Sequence, residues 1–284
     1  MERFYTLSGI SRQAFYQRLT RKKQQEKLWN CILPEVIKYR KEKDTRAGSR
    51  SLFYNLDIKS KYNIGVNKFE QLMATNRQTL RPLRVRIVTT QSVFQSWQYD
   101  NLINGLKITD INQVVVGDLT YVNIERFRYY IFCLTDLYSA RIVGMECSHR
   151  MRSIESKKCL DEWISLRGIK NVEGCIHHTD GGSQYFSKLY LNTIQLYGIR
   201  LSVAENCLEN GYAEQQNSMI KNHFISTLKN YQGKKLKNDI ERIKYFYNHE
   251  RKQQRLGWLS PVEFEQKWHQ NPNRPRIKLY DFEK

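Results

Sequence analysis

Three acidic residues stand in contexts that suit metal-assisted chemistry on phosphates: Asp118, Asp180 and Glu214. Phosphoryl transfer requires activation of an attacking oxygen and stabilisation of a leaving oxygen, and two divalent cations roughly 4 Å apart can do both. Mg²⁺ prefers oxygen ligands, so a protein must present carboxylates from rigid elements. Two aspartates and a glutamate occur in this order in any long chain, so the neighbouring residues decide whether this chemistry applies.

The neighbouring residues predict rigid elements at all three positions. Asp118 lies in a β-branched run that is typical of a strand, and Asp180 follows shortly after Cys175–His178, which has the pattern of a buried strand. Glu214 lies in a predicted helix. In that helix Asn210, Glu214, Asn217 and Lys221 share one stripe, beside the apolar stripe of Ala213, Ile220 and Phe224. Glu214 is therefore expected to face a groove while Lys221 reaches a substrate phosphate; the alternative is an ordinary solvated face.

The elements that must position these residues form a mixed sheet flanked by helices. Strands are predicted at Val114–Val122, Tyr129–Thr135, Ala140–Cys147 and Cys175–His178. Helices are predicted at about Ile154–Arg167, Ser183–Tyr197, Leu208–Lys229 and Lys237–Glu250. The short spacing of the first three strands predicts an antiparallel meander. This order matches the ribonuclease-H-like fold, in the α/β class.

The charge of the chain favours a polyanionic partner over simple solubility. The 284 residues carry a formal net charge of +19, an excess that usually indicates nucleic acid. By segment the net charge is +12 for residues 1–110, −1 for residues 111–220 and +8 for residues 221–284. Basic flanks would neutralise phosphates, while a carboxylate-rich centre would hold cations. We therefore predict a DNA-binding region at 1–110, a catalytic core at 111–232 and a basic helical extension at 233–284.

The first 110 residues predict helix-turn-helix-like units. Leu7–Tyr16 is typical of a turn followed by a helix, with Ser11 as the N-cap. A second unit at about Arg46–Asn76 has a turn near Asn63-Ile64-Gly65 and then an amphipathic helix. Residues from Thr79 to about Ile111 are expected to form a linker. A capped amphipathic helix in any bundle would give the same pattern, so the DNA-binding interpretation depends on the charge.

Composition excludes several classes of protein. No stretch reaches the roughly 18 apolar residues of a membrane span, and the N-terminus lacks the apolar core of a signal peptide. The six cysteines include no C-x-x-C pair, which favours reduced thiols in a cytoplasmic protein over disulfides or a zinc site. His177 and His178 are adjacent on a predicted strand, so their side chains should point to opposite faces.

Several ordered blocks resemble the OrfB-type transposases of the IS-three insertion sequences. The blocks are Gly117–Tyr121, His178–Tyr185, Glu209–Glu214, and the terminal residues Tyr247, Asn248, Arg251, Leu256, Gly257, Ser260 and Pro261, preceded by Gly9–Tyr16 and Asp100–Ile103. The resemblance extends over nearly the whole chain.

The resemblance implies an integrase-like catalytic core with a DDE triad. Asp118, Asp180 and Glu214 would be the catalytic residues and would hold two Mg²⁺ ions, for which Mn²⁺ could substitute. Thr120, His178 and Asn210 would support them, whereas Arg12, Asn217, Lys221 and Arg251 would contact DNA. Such an enzyme binds the terminal inverted repeats of its element, exposes a 3′-OH and directs it at another phosphodiester. The resemblance further implies a homo-oligomer on paired double-stranded ends, a bacterial, nucleoid-associated location and fusion with the product of an upstream reading frame.

The chain departs from the family pattern at three places. Val115 stands where the family usually has Trp, Gln253 stands where it usually has His, and the 33 residues between Asp180 and Glu214 are two fewer than usual. Alternatives are an inactive remnant and a non-catalytic helix-turn-helix regulator. A retroviral-type integrase is disfavoured, because no histidine precedes His149 and the N-terminal two-His, two-Cys zinc module is therefore absent.

Overall fold

A computed structural model describes residues 9–81, 99–124, 127–180, 182–204, 211–225 and 233–271. For residues 211–214, 216 and 233–235 it describes the backbone only. The chain divides into two compact units, Met1–Pro82 and Leu83–Lys284. In the described parts, no helix combines the length and apolar character that crossing a membrane requires.

The first unit is helical. Its helices are α1 (Arg12–Glu42), α2 (Ser49–Asn55), α3 (Ile58–Tyr62) and α4 (Val66–Thr75). The predicted N-cap is confirmed, because the Ala14 amide donates to Ser11 Oγ at 3.2 Å. Straight-chain residues with high helix propensity follow the cap, and α1 extends for 31 residues, well past Tyr16, the last residue of the predicted turn and helix.

The core of the first unit joins one half of α1 to the three short helices. Trp29, Ile32 and Val36 of α1 pack against Leu52, Phe53, Ile58, Phe69, Leu72 and Met73. The predicted second unit is confirmed as a helix, a turn and a helix: Asn63 adopts φ 52° after α3, and α4 buries its predicted apolar face. Before Trp29, every described residue of α1 is exposed or only partly buried.

The second unit contains a five-stranded sheet in the order β3-β2-β1-β4-β5. Its strands are β1 (Val114–Ile124), β2 (Phe127–Asp136), β3 (Ile142–Ser148), β4 (Ile176–Thr179) and β5 (Arg200–Val203). The predicted antiparallel meander of β1, β2 and β3 is confirmed. β4 pairs in parallel with β1, and β5 pairs in parallel with β4. β5 is absent from the sequence-based prediction, because four residues with one arginine give little periodic signal.

Helices cover both faces of this sheet. They are α5 (Ser153–Arg167), α6 (Ile169–Val172), α7 (Lys188–Leu196), α8 (Gly211–His223), α9 (Gly233–Tyr245) and α10 (Pro261–Gln270). On one face, α5 and α7 pack against Val115, Phe132 and Leu134. Gly144 permits the close approach of α5, since a Cβ there would lie 2.3 Å from the Cys159 carbonyl oxygen. The strand order and flanking helices confirm the predicted ribonuclease-H-like fold.

In a second core region, residues 103–108 and helix α10 pack against the sheet. Val114, Val116 and Ile176 pack with Ile103 and Ile108, and also with Phe264 and Trp268 of α10. Trp268 Nε1 donates to Asp110 Oδ1 at 2.7 Å. The predicted boundaries at 110/111 and 232/233 therefore do not coincide with the boundary between the compact units. The physical reason is that apolar residues of the supposed linker and of the C-terminal extension are buried in the core.

Candidate active site

The register of β1 and β4 brings the first two predicted carboxylates to one face of the sheet. Val116 lies opposite His178, and Gly117 lies opposite Thr179. Residues that face each other in neighbouring strands project to the same side, and side chains alternate along each strand. Asp118 continues this face in β1, and Asp180 begins the turn that directly follows β4, so both carboxylates lie at the carboxyl end of β4.

The helix that carries Glu214 lies against β1 beside Asp118. Asn217 of α8 donates from Nδ2 to Asp118 Oδ2 at 2.7 Å, and the Leu119 amide donates to Asp118 Oδ1 at 2.8 Å. Glu214 precedes Asn217 by three positions, less than one helical turn. Among the described side chains no group of three His, Cys, Asp or Glu residues could hold a metal ion; the Glu214 side chain is not one of them.

Asp180 lies in a turn that follows β4. It is partly buried, and its Oδ1 accepts the Gly182 amide at 3.0 Å. Burial raises the pKa of Asp180, and the hydrogen bond from Gly182 opposes that rise. Tyr185 is fully buried nearby, and its pKa is raised well above the ordinary value by burial and further by the charges of Asp180 and Asp118.

His178 is enclosed on the same face. It is 0% exposed, and its Nδ1 lies 2.9 Å from Ser202 Oγ. Ser202 Oγ also accepts the Leu102 amide at 2.9 Å. Burial lowers the pKa of His178 to about 4, so the ring is neutral near pH 7. This arrangement is consistent with the predicted supporting role, which stays a prediction.

His177 points to the opposite face of the sheet from His178, as expected for two adjacent residues of a strand. Its Nδ1 lies 3.1 Å from the Val115 carbonyl oxygen, and its Nε2 lies 2.7 Å from the Tyr190 hydroxyl. A Cβ at Gly117 would lie 2.7 Å from His177 Cε1. The glycine that precedes Asp118 therefore makes room for a buried histidine ring, which is a packing role.

The DNA-contact prediction for Asn217 requires correction. Its side chain is 3% exposed and is bonded to the Asp118 carboxylate, so it is not available to an external phosphate. The i, i+3 spacing from Glu214 placed Asn217 on the correct side of the helix. The sequence could not show that β1 covers this position, because that contact joins residues 99 positions apart.

The other predicted site residues are distributed as follows. Thr120 shares the Asp118 face of β1 and is partly buried. Lys221 Nζ lies 5.0 Å from the ring centroid of Tyr121. The guanidinium of Arg251 lies 5.8 Å from the Tyr247 ring. In the first unit Arg12 is exposed, and Asn210 lies outside the described residues. The DNA contacts of Arg12, Lys221 and Arg251 stay predictions.

The terminal motif has a structural role. Asn248 accepts the Ile142 amide at 2.9 Å and donates to the Ile142 carbonyl at 2.8 Å. It therefore satisfies backbone groups of the edge strand β3. Ser260 caps α10 in a capping box with Glu263. Val115 is buried in the core and Gln253 forms a backbone bridge with Leu259, so two departures from the family pattern fall at packing positions.

The comparisons agree with this geometry. Residues 109–206 match the family described as the integrase core domain. The 31 kDa protein of insertion element IS600 from Shigella sonnei is 30% identical over 271 residues, which are 92% of this chain and 97% of that protein. This chain belongs to the IS-three family of insertion-sequence transposases. It is thus an enzyme of the polynucleotidyl transferase class, and the non-catalytic alternatives are not favoured.

Two further proteins are similar to this chain over about half of its length. Transposase InsF of insertion sequence IS3A from Escherichia coli K12 is 29% identical over 170 residues, which are 55% of this chain and 54% of that protein. Among solved structures, the HTLV-2 integrase catalytic core domain in complex with magnesium is 20% identical, with a TM-score of 0.43, over 54% of this chain and 95% of that chain.

Asn217→Ala tests whether this residue positions Asp118. Loss of the N–H donor should lower metal-dependent strand cleavage by about tenfold, because groups that orient a metal ligand typically have effects of this size. DNA binding should change by less than about twofold, and the metal concentration for half-maximal cleavage should rise. Cleavage assays with metal titration, run beside gel-shift assays, measure these quantities.

Asn222→Ala is the matched control, since Asn222 lies on the same helix and donates to Ser218 Oγ. A loss of DNA binding by Asn217→Ala with unchanged metal dependence would show that Asn217 acts on DNA instead of on Asp118.

Proposed function

We propose that this transposase cleaves and joins DNA strands with Asp118, Asp180 and Glu214 as its catalytic carboxylates. The observation that carries the proposal is the parallel pairing of β1 with β4, which ends one residue before both Asp118 and Asp180, with α8 bonded to Asp118 through Asn217. Asp118 thus lies in a strand, Asp180 directly after another and Glu214 in a helix, as the three sequence contexts predict.

The residues fit a pair of divalent cations. Carboxylate oxygens are the ligands that Mg²⁺ prefers, and Asp180 has no salt bridge to a basic side chain within the described parts of the chain. A partly buried carboxylate without a cationic partner gains most from a bound cation. Asp118, Asp180 and Glu214 would hold two Mg²⁺ ions. When bound, the ions would activate the attacking oxygen and stabilise the leaving oxygen.

The side chains around the carboxylates contribute fixed geometry. Asn217 and the Leu119 amide hold the two oxygens of Asp118, and the Gly182 amide holds Asp180. A hydrogen bond between His178 and Ser202 joins β4 to β5 two residues before Asp180. Groups that are already held in position need not reorganise during the reaction, and this lowers the barrier to phosphoryl transfer. No covalent enzyme intermediate is required, since water and then a DNA 3′-OH are the nucleophiles.

The DNA partners follow from the charge and from the family. The element's double-stranded terminal inverted repeats would be bound by the basic first unit, in which Arg12 is exposed, and by Lys221 and Arg251 near the core. Joining two ends and a target requires at least two active sites, so we propose a homo-oligomer on paired ends. The product of an upstream reading frame would extend the chain as a fusion.

The test is a nicking assay on labelled duplexes that carry the element's terminal inverted repeat. Mg²⁺ or Mn²⁺ should support cleavage that leaves a 3′-OH, and chelation should abolish it. An unrelated duplex serves as the control for end recognition. DNA binding that survives chelation without cleavage under any metal would identify an inactive remnant, whereas cleavage that persists in chelator would refute the metal-dependent mechanism.

A further inference from the structure

Two cationic side chains from different elements lie beside one half-exposed aromatic ring. The guanidinium of Arg128 lies 4.9 Å from the ring centroid of Tyr121, and Lys221 Nζ lies 5.0 Å from the same centroid. The Tyr121 side chain is 50% exposed. An aromatic ring that is left open to water and flanked by cations is typical of surfaces that bind nucleic-acid strands.

The backbone explains why these three side chains meet. Arg128 lies directly opposite Asn123 across the β1–β2 ladder, which makes it a diagonal neighbour of Tyr121 on one face. The pairing of β1 with β4 ends at Thr179, so β2 is the only described partner of β1 beyond that point. Lys221 reaches the ring from α8, which packs against β1 through Asn217 and Asp118.

The charges around the Tyr121 ring favour binding of an anion. Arg128 and Lys221 carry like charges beside one ring, and in the described parts of the chain neither forms a salt bridge. Arg128 donates from Nε only to a neutral acceptor, Asn123 Oδ1, at 3.4 Å. The negative face of the Tyr121 ring attracts both cations but supplies no net charge. A phosphate would neutralise the pair, and the tyrosine hydroxyl could donate to it.

We propose that Tyr121, Arg128 and Lys221 form a binding site for one backbone phosphate of a DNA strand beside the cleavage site. The inference rests on the proposed function, because it takes Asp118 as part of the catalytic centre. Tyr121 follows Asp118 by three residues, or about 10 Å along β1, and because side chains alternate its ring leaves the face of the strand opposite to Asp118. Lys221 reaches the ring from α8, the helix that also contacts Asp118. The site would therefore hold the DNA strand a few nucleotides from the scissile phosphate.

The phosphodiester could belong to the element end or to the target strand, and a chemical scan separates the two. Neutral methylphosphonate groups are introduced one at a time into the element-end duplex or into an unrelated target duplex. The full chain is titrated with each duplex in chelator, so that binding is measured without cleavage. The variants are Arg128→Gln, Lys221→Gln and Tyr121→Ala, with Tyr121→Phe to retain the ring.

Arg128→Gln should weaken binding to the unmodified duplex by about tenfold and reduce the salt slope by about 1. One methylphosphonate position should weaken binding of the parent chain by a similar factor, yet add little to the Arg128→Gln effect. Lys221→Gln and Tyr121→Ala should show the same coupling at that position, whereas Tyr121→Phe should bind within about threefold of the parent. Coupling on the end duplex or on the target duplex assigns the strand.

Arg200→Gln is the charge-matched control, because Arg200 is exposed and lies opposite Ile176, at the far end of β4 from Asp180. The inference is overturned if Arg128→Gln binds like Arg200→Gln, or if no position couples in either duplex. These outcomes are independent of catalysis. A chain that shows the coupling but never nicks DNA would refute the proposed function alone, and a chain that nicks without the coupling would refute this site alone.

Discussion

Replacing any of the three predicted carboxylates by its amide should abolish most strand cleavage while leaving DNA binding intact. Asp118→Asn, Asp180→Asn and Glu214→Gln are nearly isosteric changes, and each removes a negative charge that a divalent cation needs. Loss of one such contact removes several kcal/mol of transition-state stabilisation, which corresponds to at least roughly 10²-fold in rate. Nicking and strand-transfer assays on labelled end DNA measure the loss, and gel-shift assays measure retained binding.

Glu209→Gln is the control for the helix position. Glu209 precedes Glu214 by five residues and is assigned to stabilisation of the helix start, so this variant should keep much more activity. Normal cleavage by Glu214→Gln together with an inactive Glu209→Gln would show that the third carboxylate is wrongly assigned. Activity in all three amide variants would refute the carboxylate mechanism as a whole.

Local signals in the sequence were sufficient for the elements that carry the two aspartates. The β-branched residues around Asp118 predict a strand because such side chains suit a pleated, half-buried surface, and β1 spans Val114–Ile124. The buried strand predicted at Cys175–His178 corresponds to β4, which spans Ile176–Thr179. The juxtaposition of the two strand segments that carry the aspartates was not accessible from these signals, because it depends on the parallel register between strands about 60 residues apart.

Features that depend on tertiary packing were missed. β5 is short, and it is stabilised by pairing with β4 more than by its own propensity. The burial of α10 was also missed, although Ser260, Pro261 and Glu263 form a recognisable helix start. The predicted helix over Ser183–Tyr197 is divided at Ser187, which caps α7 by accepting the Tyr190 amide. The Ser187 cap thus starts a new helix at a point where the periodicity of the sequence predicted one continuous helix.

A residue of the buried helix α10, Glu265, is a second position where one substitution should have a large effect. Glu265 is 3% exposed and joins three parts of the second unit. Its carboxylate accepts Arg167 Nη1 at 2.8 Å and Arg167 Nη2 at 2.5 Å. It also accepts Arg141 Nη1 at 2.5 Å and Ser139 Oγ at 2.7 Å. A single side chain therefore links α10 to α5 and to the β2–β3 turn.

Glu265→Ala should lower the free energy of unfolding by about 3–5 kcal/mol, because in the described part of the chain it leaves the buried Arg167 paired with one carboxylate, that of Asp136. Urea unfolding of the full chain measures the change. Glu263→Ala is the control on the same helix: it removes half of a capping box and should cost only about 1 kcal/mol. Equal losses in the two variants would mean that the buried ion pairs contribute no more than a helix cap.

Acid unfolding provides a second measure of the same contacts. Burial alone would raise the pKa of Glu265, but hydrogen bonds and charges from Arg167 and Arg141 outweigh it and hold the pKa below the ordinary value. A depressed folded-state pKa means that the stabilisation is fully present above the unfolded-state pKa, near 4.5, and is lost as the pH falls through the lower folded-state value. Glu265→Gln cannot titrate, so its stability should fall less steeply than that of the parent chain below about pH 4.5. An unchanged slope would show that Arg167 and Arg141 do not depress the pKa of this carboxylate.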